Sequence, residues 1–154
     1  MKLIALLATL IIALCSPAAF AYTCSIAATP LNFGVVEGVA QRVQLSTATL
    51  TVICQSDASA ASVSYQILLD DTSGGVEREM TSATGKTQYQ LYTSSTYQQV
   101  WGSGGGVSGT ISDSYNIAAH SSVSRTYTVY ARMQPGRRDG PGFYSDVSGV
   151  RLIY

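Results

Sequence analysis

Histidine and tryptophan each occur once in this chain of 154 residues, cysteine three times and proline four times, and charged side chains make up only 12% of it. Each scarcity removes a class of function. One histidine, His120, cannot build a multi-histidine metal site, and within the polar run AAHSSVS it reads as a surface residue rather than a catalytic base. Nine basic residues balance nine acidic ones, so no net field draws in nucleic acid or an anionic membrane surface. Arg137-Arg138 is the one basic doublet, and its Gly/Pro surroundings mark a solvated loop tip. Leu, Lys and Glu are sparse outside the N-terminal run, which argues against helices. The longest apolar run, residues 3–14, is shorter than the roughly 20 residues a membrane-spanning helix needs.

That run has the order of an export signal. Met1-Lys2 gives the positive start, and Ala19-Phe20-Ala21 gives the small-x-small pattern before a cut between Ala21 and Tyr22. Removing 21 of the 154 residues leaves 133, residues 22–154, the size of one domain. Lys2 leaves with the signal, so eight basic residues face nine acidic ones and the net charge is about −1. No second apolar segment follows, so no membrane insertion is expected after cleavage.

Cys15 is lost with the signal, leaving Cys24 and Cys54 in an oxidising compartment. Two thiols with one available partner each imply a disulfide. The 29 residues between them make that closure worth about 3–4 kcal/mol in the chain-entropy description. Zinc would need further ligands, and a redox pair is more often Cys-x-x-Cys.

What is abundant is Val, Thr, Ser, Gly and Tyr, the composition of an all-β protein. In SVSYQILLD, Val63, Tyr65, Ile67 and Leu69 share one face. Asp70-Asp71-Thr72-Ser73-Gly74-Gly75 ends that strand in a turn. Val43 and Leu45 alternate with Gln44 and Ser46, whereas Leu50, Val52 and Cys54 follow the opposite parity, which predicts a bend or bulge between. Further strands are expected over 78–81, 89–93, 126–133 and 147–154, the last with Val150, Leu152 and Tyr154 on one face. Short strands separated by turns, without a domain boundary or repeat, define a single β-sandwich. Residues 102–109 read as a Gly/Ser loop within it.

Chemistry-bearing patterns are thin. Asp70-Asp71 are neighbours at a strand end and point apart, and Gly102-Ser103-Gly104-Gly105-Gly106 lacks the Lys-Ser/Thr of a phosphate loop. No nucleophile elbow accompanies the serines. The residues therefore offer no catalytic, cofactor or metal site. Ten tyrosines are the unusual feature. They suit half-buried strand positions, although flat rings such as Tyr97 or Trp101 also suit a sugar face.

The order of short motifs resembles the spore coat protein U domain family across nearly the whole exported chain. Cys24 is followed by Leu31-Asn32-Phe33-Gly34, a strand ending at Cys54, Tyr65-Gln66-Ile67-Leu68-Leu69 and Arg78-Glu79-Met80. Tyr89-Gln90-Leu91-Tyr92, Val100-Trp101-Gly102 and the run from Thr126 through Tyr127 and Tyr130 to Arg132 come next. Gly142-Phe143-Tyr144-Ser145-Asp146-Val147 and Val150-Arg151-Leu152-Ile153-Tyr154 close the series.

The resemblance implies an immunoglobulin-like β-sandwich that is incomplete, with one strand supplied by a partner. Its pilus members are subunits of archaic chaperone–usher fibres involved in adhesion and biofilms, and another member is a spore coat protein. The implied partners are a periplasmic chaperone, an usher and a sibling subunit that donates a strand. The implied route runs through the periplasm to a pilus or another secreted location. Strand addition joins backbone pairing to the filling of pockets by alternate side chains. A donor segment needs about ten residues or more ahead of its domain, at about 3.3 Å each. After a cut at Ala21 only Tyr22-Thr23 precede Cys24, so the expectation is a strand-accepting subunit of tip or cap type, the alternative being a free-standing, self-contained secreted coat or carbohydrate-binding β-sandwich module. The family's tip adhesins are typically two-domain, whereas one domain is expected here.

Overall fold

The computed structural model describes residues 22–36, 41–70, 77–136 and 139–154. The signal segment with its Ala21 junction, residues 71–75 of the expected turn, and Arg137-Arg138 lie outside them. The described residues form eight strands and no helix. These are β1 (Tyr22–Ala28), β2 (Gln44–Ser56), β3 (Ala61–Leu69), β4 (Arg78–Thr81), β5 (Lys86–Tyr92), β6 (Ile111–Ile117), β7 (Ser122–Met133) and β8 (Val150–Ile153). They build two antiparallel sheets, ordered β1-β2-β7-β5-β4 and β6-β3-β8, whose inner faces meet as an immunoglobulin-like β-sandwich.

Side-chain alternation explains the stacking. Val63, Tyr65, Ile67 and Leu69 of β3 are buried, as expected, and they face Leu50, Val52 and Cys54 of β2 with Val129, Ala131 and Met133 of β7. Burying an aliphatic side chain of this kind contributes about 1.5–3 kcal/mol, so these central strands carry most of the core energy. Leu91 and Trp101 join them, and the Trp101 indole N–H donates to the Ile67 carbonyl at 3.2 Å. Trp101 therefore ties the two sheets together from inside and is no surface platform.

The expected bulge in β2 is absent. Its ladder with β7 runs unbroken from Gln44↔Met133 to Gln55↔Ser122. Leu45, 56% exposed, points outward, as an apolar residue on the solvent face. The inner positions there are Ser46 and Ala48, and the Ser46 hydroxyl donates to the Asn32 carbonyl at 2.5 Å. Small inner residues make room for the 29–36 segment, and this broke the apolar alternation on which the expectation rested. The last strand is also shorter than 147–154, because only Val150–Ile153 pairs with β3.

Two strands went unanticipated. β6 carries Asp113 on its inner face among Ile111, Tyr115 and Ile117, which hides its period of two. β1 pairs with β2 in a register that sets Cys24 directly opposite Cys54, and their disulfide is formed. The 102–109 loop closes on itself through Gly102 N–H to Gly109 O and Gly109 N–H to Val100 O, at 2.9 and 2.8 Å.

Candidate functional site

β1 ends the five-stranded sheet and β8 ends the three-stranded sheet, and these two edges face each other without pairing. At one end the Tyr22 and Tyr154 rings touch, with centroids 5.9 Å apart. Tyr22 also reaches β3, where its hydroxyl contacts the Ser64 carbonyl and amide at 3.3 and 3.4 Å. β8 pairs only with Gln66–Leu69, so a tyrosine hydroxyl occupies the backbone position that a longer neighbouring strand would take. At the other end Ala28 and Val150 line one cavity, so β1 and β8 run antiparallel along a seam that widens away from the tyrosines.

The core is uncovered along this seam. Inward residues of the central strands are almost wholly buried, whereas Tyr22, Cys24 and Ile26 of β1 and Val150 and Leu152 of β8 remain half-buried. The wide end holds a cavity of about 340 Å³ floored by Leu50, Leu69, Leu91, Trp101 and Val129. It continues past Leu31, Phe33, Met80 and Tyr144 into a second cavity of about 460 Å³, bounded by Val36, Pro135 and residues 139–143. Val35, Phe143 and Val147 are 95–101% exposed on the flanking segments. Fully solvated large apolar side chains beside an open core form the kind of surface that marks an interaction site.

Most of the motif residues converge here. Phe33, Met80, Tyr89, Leu91, Trp101, Tyr144 and Asp146 line the first cavity. Gly34 and Gly142 line the second. Phe33 packs edge-on against Tyr89 with centroids 6.0 Å apart. Gly34 has φ +73°, the left-handed region that favours glycine, and its N–H donates to the Asn32 side-chain oxygen at 2.7 Å, turning the chain after Phe33.

The 144–148 wall is held by hydrogen bonds. Tyr89 donates to the Asp146 carboxylate at 2.6 Å, and Arg78 donates to the Ser148 hydroxyl at 2.6 Å with its Nε 3.7 Å from Asp146. Burial raises the Tyr89 hydroxyl pKa, and donation to Asp146 adds to that shift. Tyr144 donates to the Gly140 carbonyl at 2.6 Å, and Ser145 exchanges two backbone hydrogen bonds with Thr81.

The remaining motif residues lie elsewhere. Tyr127 donates to Asp113 at 2.6 Å and accepts from Tyr65 at 2.6 Å, at the β6 side of the core. Desolvation by burial raises its pKa, with the Asp113 and Tyr65 hydrogen bonds adding to the shift. Tyr92 and Tyr130 are cross-strand partners on the outer face of the larger sheet, and Gly102 supports the 102–109 loop. His120 lies in an exposed turn with φ 52° and lines neither cavity, while Asp70 pairs with Arg151 on the surface. Among the described residues no three His, Cys, Asp or Glu side chains gather. No helix there is long and apolar enough to cross a membrane.

Sequence reasoning found the members of this site as a motif series but not their convergence. The Tyr65–Tyr127–Asp113 network and the half-buried β1 face were missed, although Tyr22, Cys24 and Ile26 do alternate.

The described residues thus form a disulfide-linked, immunoglobulin-like β-sandwich whose motif residues line an apolar seam. The sequence signature of the Spore Coat Protein U domain matches residues 9–151, and the chain belongs to that family. No curated protein matches the chain. The family is one of surface-associated, pilus-like structural proteins, not of enzymes.

Proposed function

We propose that this protein is a surface subunit that accepts a β-strand from a partner into the seam between β1 and β8, within a chaperone–usher pilus. The supporting observation is the pair of facing, unpaired strand edges over a half-covered core, flanked by exposed Val35, Phe143 and Val147. An extended segment laid there gains backbone pairing along β8, and its alternate side chains enter the cavity above Leu50, Leu91 and Trp101. Left empty, the same feature is an edge and an apolar slot together, which favours aggregation. A periplasmic chaperone would cover it first and a sibling subunit afterwards, with the usher as the site of exchange.

Tyr22 already pairs with Ser56 inside its own sheet. If export cuts the chain after Ala21, β1 is the first segment and no free strand remains to donate, which suits a terminal position in a fibre. Sequencing the N-terminus of the secreted protein tests that part, since a start well upstream of Ala21 removes it. Co-expression with the chaperone of a neighbouring gene tests the acceptor role. A soluble one-to-one complex is expected, with aggregation when the subunit is expressed alone. A stable, monodisperse lone subunit that ignores the chaperone would overturn the reading.

A further inference from the structure

The outer face of the five-stranded sheet carries a further concavity, which shares only Tyr89 with the lining of the seam. It has a volume of about 370 Å³ and lies across β5 and β7. Its chemistry differs from that of the seam. Gln88, Arg132 and Gln134 supply planar amides and a guanidinium, Glu77 supplies a carboxylate, and Tyr92 closes one side, while buried Gln90 forms part of the floor with its side-chain oxygen accepting the Leu91 N–H at 3.0 Å. The register explains the assembly, because Gln90 is directly opposite Arg132 and Tyr92 directly opposite Tyr130 on adjacent strands.

Two observations set this groove apart from an ordinary solvated sheet. Glu77 and Arg132 carry opposite charges in one concavity, yet neither belongs to an ion pair among the described residues. A carboxylate acceptor and a guanidinium donor thus stand on the groove wall without closing on each other. The second observation is Tyr97. Its backbone sits at φ 56°, a region that bulky side chains rarely enter. The loop forces this conformation through Tyr97 N–H to Ser94 O at 3.1 Å and Thr93 N–H to Gln99 O at 3.0 Å. The outcome is a ring folded back over the sheet, edge-to-face with Tyr92 at 5.4 Å and with Tyr130 at 6.2 Å. Strained backbone that places an aromatic ring beside a polar groove is a reason to look for a ligand.

We propose that this groove binds a neutral pyranose saccharide. Sugar hydroxyls both donate and accept, so one ring satisfies a carboxylate, a guanidinium and amides together. The C–H face of the sugar packs on Tyr92, which lines the groove and which Tyr97 holds in place edge-on, so the ring offers apolar area at low entropic cost. The balanced pair of charges selects against a charged ligand, because an acidic sugar would meet Glu77 as well as Arg132. The groove opens on the outer face of the sheet and shares only Tyr89 with the seam lining, so it serves the protein whether or not a strand fills that seam.

Saturation-transfer NMR of the purified protein with cellobiose, N,N′-diacetylchitobiose and lactose, beside digalacturonic acid as the acidic comparison, tests the assignment. Transfer to at least one neutral disaccharide is expected, with affinity reduced about tenfold in Tyr97→Ala and retained in Tyr97→Phe. Arg132→Gln, at an exposed position that does not disturb the core, should weaken the same ligand severalfold and keeps the test decisive if Tyr97→Ala fails to fold. Absence of transfer to every neutral disaccharide overturns the proposal. So does binding of the acidic sugar alone, or unchanged affinity in Arg132→Gln.

Discussion

Opening the Cys24–Cys54 bridge offers a quantitative check on how the seam is built. The two residues face each other across β1 and β2, 30 positions apart in the chain. Closing a loop of that length removes about 3–4 kcal/mol of freedom from the unfolded chain. A domain of this size has about 5–15 kcal/mol in total, so the loss is a large fraction. It should also be uneven. β1 is paired through one ladder only and its inward face is half-covered, so beyond the Tyr22 contacts to Ser64 and Tyr154 at one end the bridge is its main anchor once that ladder frays. β7 is paired on both sides and should hardly notice. The assay is urea unfolding of oxidised and reduced protein, with hydrogen exchange read strand by strand. With a urea slope of about 1–3 kcal/mol per molar, reduction should lower the midpoint by at least about 1 M. Exchange should accelerate first in Tyr22–Ala28. A midpoint unmoved by reduction, or equal loss of protection in β1 and β7, would refute the idea that the bridge holds this edge strand in place.

Other expectations follow from single contacts. Trp101→Phe removes the indole donor from the Ile67 carbonyl inside the core and should cost about 1–3 kcal/mol in urea unfolding, more than any outward tyrosine change. Arg78→Met breaks the contacts to Ser148 and Asp146, so exchange should quicken at residues 144–148 while β3 stays protected. Tyr127 has its pKa raised above the ordinary 10.0 by burial and then by its bond to Asp113. Its contribution is therefore complete below about pH 10 and declines as pH rises beyond it, so wild-type stability should fall in alkali. Tyr127→Phe should lower stability at about pH 7 and flatten that alkaline decline, as read from urea midpoints across the range.

Much of this structure was legible before any coordinates. The β3 face of Val63, Tyr65, Ile67 and Leu69 was read from alternation alone, because a strand buried on one face writes its period into the chain. The cysteine pairing followed from having two thiols and one partner each. What stayed hidden has physical causes. β6 presents Asp113 inward to receive the Tyr127 hydroxyl, and a polar residue on the inner face erases the apolar period. In β2 the small residues Ser46 and Ala48 face inward under the 29–36 segment while Leu45 faces solvent, which mimicked a bulge. The seam was harder still. Phe33, Met80, Tyr89, Trp101, Tyr144 and Asp146 come from separate segments, and only the stacking of two sheets brings them together. The outer groove depends on a turn that places Tyr97 at positive φ, a conformation its sequence context does not announce.

Whether a foreign strand enters between β1 and β8 is measured most directly by backbone amide exchange on the subunit, alone and in complex with its chaperone or a synthetic donor peptide. Bound protein should show new protection at Val150–Ile153 and along the outer edge of Tyr22–Ala28, with the Tyr22–Tyr154 contact released. Protection confined to the free edges of β4 or β6, with β8 exchanging as it does in the lone subunit, would contradict it.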